Sequence, residues 1–123
     1  MDSRQILHQS QINLSPLILK LPDKVKIVEV GPRDGLQNES RQVPPEIKVA
    51  LINRLAASGL AVIEAGSFVS AKWVPQMAAS AAVFAALDKK TGVSYPMLVP
   101  NMRGLESALE AGVREIAIFA AAS

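Results

Sequence analysis

Arg33 and Asp34 stand side by side directly after a β-branched run of the chain, and both side chains could do chemistry. The run 24–30 alternates as a β-strand does, whereas the glycine- and proline-rich segment 31–35 favours a turn. Asp34 offers an oxygen ligand of the kind that Mg²⁺ or Mn²⁺ prefers, although an aspartate in a turn often caps its own backbone. The Arg33 guanidinium could stabilise negative charge on an oxygen, or pair loosely at the surface. The sequence therefore predicts a candidate catalytic rim at this strand end.

Glu64 is the third candidate because it stands inside an apolar run, where a carboxylate is costly to bury without a partner. Pairing with Arg33 across adjacent strand ends would meet that need, and we favour this orienting role slightly over direct proton transfer. Since Arg33 adjoins Asp34, its side chain should leave the strand on the other side unless the turn redirects it. Gln37 and Ser67 are further polar candidates, although loops commonly carry such residues.

Composition excludes several classes of function. Of 123 residues, 50% are hydrophobic and only 4% aromatic, which favours the aliphatic core of a helix-covered parallel sheet. The net charge is +2 with scattered basic residues, so we expect no nucleic-acid partner, and the absence of cysteine excludes thiolate chemistry within this stretch. Residues 1–23 form an N-terminal extension that resembles neither a secretory signal nor a membrane span, which predicts a cytoplasmic protein without a membrane partner. Its histidine, His8, is interpreted as solvated.

Four predicted strands alternate with three predicted helices over residues 24–123, and these residues are predicted to form one domain. The strands are 24–30, 60–65, 93–99 and 115–119. The first helix opens at Pro44 and ends before Gly59, the second runs from near Pro75 to Leu87 and buries Met77, Phe84 and Leu87, and the third is capped by Asn101 and ended by Gly112. This alternation is typical of a parallel α/β sheet.

Two parallel architectures compete for this pattern. A doubly wound sheet would usually place a GxGxxG turn after its first strand, and this spacing is lacking. A (β/α)8 barrel instead distributes site residues over several strand ends, as Arg33, Glu64 and Asn101 are distributed here. Because a whole barrel needs about 250 residues, we predict the N-terminal half of a (β/α)8 TIM barrel, truncated at its C-terminus. Trp73 is expected to act as a packing anchor in the second βα loop.

The string VEVGPRDGLQNE at 28–39 resembles the signature of 3-hydroxy-3-methylglutaryl-CoA lyases, metal-dependent enzymes of the metallolyase TIM-barrel superfamily. Matching segments recur through residues 24–123; they are VIEA at 62–65, SFVS at 67–70, KWVPQM at 72–77, YP at 95–96, PN at 100–101 and AIF at 117–119. The resemblance implies cleavage of 3-hydroxy-3-methylglutaryl-CoA to acetyl-CoA and acetoacetate, in leucine degradation and ketone-body formation. It also implies a CoA thioester substrate and a homodimeric full-length enzyme, either cytoplasmic or in the mitochondrial matrix.

The resemblance implies individual roles as well. Asp34 matches a ligand of a divalent cation, Mg²⁺ or Mn²⁺, and Arg33 matches the residue that stabilises the enolate oxygen of the departing acetyl-CoA. Glu64 matches a catalytic position, and Gln37 and Ser67 match substrate-binding ones.

The chain departs from the family pattern in two respects. Gly66 stands where the family usually has threonine, which could loosen the turn beside Ser67. The family's His-x-His pair, asparagine and cysteine have no counterpart in residues 1–123, so we expect this stretch alone to be inactive. Two alternatives remain: another aldolase or Claisen-type synthase of the superfamily, for instance one that uses a 2-oxo acid, and a non-catalytic half barrel that pairs with itself or a partner.

Overall fold

The computed structural model describes residues 21–121, and His8 therefore lies outside the described residues. Three short strands, β1 (Gly66–Ser67), β2 (Met97–Leu98) and β3 (Ile116–Ala117), form a parallel sheet in that order. A parallel bridge between Glu29 and Ile63 adds a fourth segment beside the one that leads into β1. The parallel α/β arrangement of the N-terminal part of a (β/α)8 barrel is thereby confirmed.

Regular pairing is shorter than the sequence predicts. The predicted first strand pairs only at Glu29, and residues 24–28 are exposed. This segment lies at the sheet edge, where it meets a neighbour on one side only among the described residues. In the third predicted strand Pro96 has no N–H to donate, yet its carbonyl accepts a hydrogen bond of 3.0 Å from Ala65 N.

Three helices connect the parallel segments: α1 (Pro45–Ala57), α2 (Ser80–Ala86) and α3 (Met102–Glu110). The first begins at a proline, as a helix tolerates in its first turn, and Gly59 follows it with φ of +98°. The predicted cap of α3 is confirmed, because Asn101 Oδ1 accepts a hydrogen bond of 2.9 Å from Gly104 N. Gly112 follows this helix at φ +81°.

The prediction of one continuous second helix from near Pro75 to Leu87 was wrong. A 3₁₀ turn (Pro75–Met77) comes first, and α2 begins only at Ser80. The break is stabilised by the Ser80 hydroxyl, which donates a hydrogen bond of 2.8 Å to Met77 O. The predicted burial of Met77, Phe84 and Leu87 is nevertheless confirmed.

The core lies between the sheet and the helices and is aliphatic, as the composition predicts; its most deeply buried members include Ile52, Ile63, Val83, Met97 and Ala108. Trp73 is not part of it. Its side chain is 78% exposed, with the Lys72 ammonium 5.7 Å from its ring centre, so the predicted packing anchor was wrong. Among residues 21–121, no helix has the length and apolarity needed to cross a bilayer.

A buried lysine ties α1 to the turn that precedes α2. Lys48 Nζ donates a hydrogen bond to Gln76 O, and Gln76 Nε2 in turn donates to Glu39 O at 3.0 Å. The hydrogen bond from Gln76 to Glu39 links the loop after β1 to the loop after the first parallel segment. Desolvation by the surrounding protein lowers the pKa of Lys48 below its ordinary value of 10.5.

The lowered pKa predicts a specific pH dependence of stability. Between the folded-state pKa of Lys48 and 10.5, the unfolded chain binds more protons than the folded chain, so the free energy of unfolding rises with pH in that window. We expect Lys48→Met to remove this rise, measured by urea unfolding at a series of alkaline pH values. Lys90→Met, at an exposed lysine, is the matched control and should keep it. A rise that persists unchanged in Lys48→Met would contradict the assignment.

Candidate functional site

The strand end before Arg33 closes in a single π-helical turn (Gly31–Gly35). Val30 O accepts hydrogen bonds from Asp34 N at 2.7 Å and from Gly35 N at 3.4 Å. Pro32 is buried near the start of the turn, where a missing N–H costs nothing. Turns of this wide type occur frequently at functional sites.

Glu29 supports this turn, a role that sequence reasoning missed. Its Oε1 accepts a hydrogen bond of 2.7 Å from Gly31 N, and its backbone pairs with the neighbouring segment through Glu29 N to Val62 O at 3.0 Å. The available signal was a carboxylate flanked by apolar residues, since Glu29 lies between Val28 and Val30; a similar signal identified Glu64.

Arg33 joins the two candidate carboxylates. Arg33 Nε donates to Glu64 Oε1 at 2.6 Å, and its Nη1 donates to Asp34 Oδ1 at 3.0 Å. The predicted pairing of Arg33 with Glu64 is confirmed. The side chains of Arg33 and Asp34 do not leave on opposite sides, because the π-helical turn redirects them, which is the exception that the sequence prediction allowed.

The ion-paired triad Arg33–Asp34–Glu64 has a buried end and an exposed end. The Glu64 side chain is only 8% exposed, whereas that of Asp34 is 55% exposed. The short charge-assisted bond to Glu64 fixes the guanidinium and offsets the desolvation of the carboxylate. With one cation and two carboxylates the triad carries a formal charge of −1, which suits the approach of a further cation on the Asp34 side.

A complete metal site would need more ligands than the described residues bring together. Within 21–121, no group of three or more His, Cys, Asp or Glu side chains could hold an ion together. Asp34 fits the role of a single ligand, since its carboxylate is exposed and the hydrogen bonds among these residues use only Oδ1. Asn38 Nδ2 donates to Asp34 O at 2.8 Å and steadies the backbone of the turn.

The remaining predicted site residues differ in accessibility. Ser67 is 1% exposed, and its Oγ donates to Leu98 O at 3.2 Å, so its hydroxyl is engaged within the sheet. Gln37 is half-buried in the loop that follows the π-helical turn. Asn101 follows β2 and is engaged in capping α3.

A cleft of about 270 Å³ lies where the chain leaves β1 and where α3 begins. Its lining residues are Phe68, Val69, Ser70, Asn101, Arg103, Gly104 and Ser107. Side chains of the arginine, asparagine and serines make this cleft polar, which suits a ligand that carries hydrogen-bond acceptors.

Comparisons with known proteins place this geometry in context. Residues 24–123 match the protein family described as HMGL-like. A Pseudomonas aeruginosa protein named 3-hydroxy-3-isohexenylglutaryl-CoA/hydroxy-methylglutaryl-CoA lyase is 58% identical over 85% of this chain and 35% of its own length. The mitochondrial hydroxymethylglutaryl-CoA lyase of Gallus gallus is 57% identical over 83% of this chain and 34% of its own. The chain thus spans about a third of the length of the curated relatives it matches.

Solved structures of hydroxymethylglutaryl-CoA lyases also match this chain. The crystal structure of the hydroxymethylglutaryl-CoA lyase from Pseudomonas aeruginosa matches with a TM-score of 0.81 at 58% identity, covering 85% of this chain and 35% of that one. An HMG-CoA lyase from Acinetobacter baumannii, solved with coenzyme A and 3-methylmalate, matches with a TM-score of 0.74 at 40% identity, covering 76% of this chain and 31% of that one.

Proposed function

Because the chain belongs to the HMGL-like family, we propose that the protein containing it cleaves 3-hydroxy-3-methylglutaryl-CoA into acetyl-CoA and acetoacetate. The observation that carries the proposal is the ion-paired triad, in which Glu64 fixes a guanidinium beside an exposed carboxylate at a strand end. The names of the relatives support the same reaction. The substrate class is accordingly a CoA thioester, in keeping with the coenzyme A in the Acinetobacter baumannii structure.

The reaction breaks the bond between C2 and C3 of the substrate. The C3 hydroxyl loses its proton and becomes the ketone of acetoacetate, while the bonding electron pair moves to C2 and gives the thioester enolate, which a proton converts to acetyl-CoA. In our proposal Arg33 stabilises the enolate oxygen, because its fixed guanidinium donates where negative charge develops. Glu64 holds that guanidinium in place.

Asp34 is proposed as one ligand of a divalent cation, Mg²⁺ or Mn²⁺, with the other ligands outside the described residues. When bound, such a cation supplies Lewis-acid polarisation of the substrate oxygens. Gln37 and Ser67 are proposed as substrate contacts. If Ser67 Oγ donates its proton to a substrate oxygen, its hydrogen bond to Leu98 O must open.

The wider setting is also part of the proposal. Residues 24–123 act as the partial barrel domain and residues 1–23 as an extension, within a homodimeric enzyme of leucine degradation and ketone-body formation. A cytoplasmic location is proposed, with the mitochondrial matrix as the alternative, since relatives include a bacterial protein and a mitochondrial one.

The test is a lyase assay on the full-length gene product. We expect release of acetoacetate and acetyl-CoA from 3-hydroxy-3-methylglutaryl-CoA, loss of activity with a chelator, and recovery with Mg²⁺ or Mn²⁺. A parallel assay with 3-hydroxy-3-isohexenylglutaryl-CoA tests the second substrate in the name of the Pseudomonas aeruginosa relative. A folded protein that cleaves neither thioester but condenses or cleaves a 2-oxo acid would favour the aldolase or synthase alternative.

Asp34→Asn is expected to raise the cation concentration for half-maximal activity by at least about 10–100-fold, because that is the range for groups that only orient metal ligands and Asp34 is proposed to bind the ion directly. The amide keeps the size of the side chain but removes the charge that attracts the ion. Metal titration of the assay gives the measurement. Asp23→Asn, at an exposed aspartate, is the matched control and should titrate as the unmodified protein does. An identical titration for Asp34→Asn would remove Asp34 from the metal site.

A further inference from the structure

The chain carries one extra residue where it enters β1. Ala65 N donates to Pro96 O at 3.0 Å, and the next donor to the neighbouring strand, Phe68 N, reaches Leu98 O at 2.9 Å. The donors are three residues apart and the acceptors two, whereas a regular parallel ladder advances by two on both strands. This is a β-bulge, a feature that redirects the side chains that follow it and is over-represented next to active sites.

Within the bulge, the Ser67 N–H is satisfied by a helix residue. Ser67 N donates to Ser80 Oγ at 3.2 Å, and both residues are buried. The same hydroxyl donates to Met77 O at 2.8 Å, so Ser80 joins the bulge to the turn before α2. A buried N–H without an acceptor is costly, which makes this hydroxyl an important acceptor for the bulged backbone.

Gly66 makes room for this contact. A Cβ at position 66 would lie 2.9 Å from Ser80 Oγ and 3.1 Å from Met97 Cε, closer than side-chain atoms normally approach. The φ angle of Gly66 is not positive, so glycine is needed at this position for space and not for its backbone conformation. Gly66 and Ser80 therefore act as a matched pair.

We infer that Ser80 is a positioning residue whose hydroxyl holds the bulge and thereby sets the direction in which Ser67 and residues 68–70 leave the strand. Those three residues form one wall of the polar cleft beside α3. The start of α3 forms the opposite wall and packs directly against this segment, since a Cβ at Gly104 would lie 2.5 Å from Phe68 O. The inference rests on the proposed function only in counting Ser67 among the site residues.

Amide hydrogen exchange at Ser67, followed by NMR in the full-length gene product, tests the contact directly. We expect Ser80→Ala to accelerate this exchange by about tenfold or more, as the loss of a buried hydrogen-bond partner implies. Ser80→Thr keeps the hydroxyl and should restore slow exchange, and Ser80→Cys, a weaker acceptor, should lie between. Ser58→Ala is the matched control, because Ser58 Oγ also donates to a carbonyl three residues earlier, at 2.7 Å, but at an exposed site. Exchange at Ser67 that is the same in Ser80→Ala and in the control would overturn the inference.

A double-mutant cycle tests the matched pair. With Ser80 in place, Gly66→Ala should strongly lower the folding equilibrium constant. In the Ser80→Ala background the same substitution should lower this constant by a factor that is at least about threefold smaller, because the nearest clashing atom is gone. Equal losses in both backgrounds would refute the pairing. In the lyase assay, Ser80→Ala should raise KM more than it lowers kcat, through displacement of Ser67. If the unmodified protein lacks lyase activity the proposed function fails, while amide exchange and the cycle still decide the role of Ser80.

Discussion

Arg33→Gln is expected to lower kcat for thioester cleavage by about 10²–10³-fold, the effect of removing one donor that stabilises a developing oxyanion. Glutamine can still donate a hydrogen bond but carries no charge and cannot reach Glu64 and a substrate oxygen together. The variant should also lose up to about 3 kcal/mol of stability, because Glu64 is left nearly buried without its cation. Turnover equal to that of the unmodified enzyme would exclude Arg33 from the chemistry.

The structural and chemical effects of Arg33 can be separated with a second change. In Arg33→Gln combined with Glu64→Gln, no buried carboxylate is left without its cation, and Asp34 is exposed, so we expect most of the lost stability in urea unfolding to return. The low kcat should persist, since neither glutamine supplies a positive charge. If kcat recovers together with stability, the arginine acts only by holding the fold.

Gly104→Ala is expected to destabilise the protein by about 1–3 kcal/mol, the range for overpacking. The new methyl group would lie 2.5 Å from Phe68 O and 3.3 Å from Pro100 Cδ. The nearer atom belongs to the backbone and cannot rotate away, so the start of α3 must move from the chain that leaves β1. The expected sign is informative because alanine is otherwise the better helix former, by about 1 kcal/mol.

Gly35→Ala is the matched control for this substitution, because nothing lies within 4 Å of a Cβ at that position. Its stability should change by no more than about 0.5 kcal/mol, as at other open positions. Urea unfolding of both variants gives the comparison. A Gly104→Ala variant as stable as the unmodified protein would show that the contact with Phe68 O relaxes without cost.

Local signals made much of this protein predictable. The alternation of apolar strands and capped helices, the proline at the start of α1 and the cap at Asn101 all depend on residues close together in the chain. The pairing of Glu64 with Arg33 was also predictable, because a carboxylate in an apolar strand needs a cation and the nearest suitable one followed the adjacent strand.

The sequence by itself therefore determined the parallel α/β arrangement and the strand end that carries Arg33 and Asp34. Only the tertiary structure decided that these two side chains meet, that Trp73 faces solvent, and that Ser80 completes a bulge beside Gly66. Helix caps and strand periodicity are set by neighbours along the chain. The direction of a side chain at a turn, and the acceptor for a bulged N–H, depend instead on segments that meet only after the chain has folded.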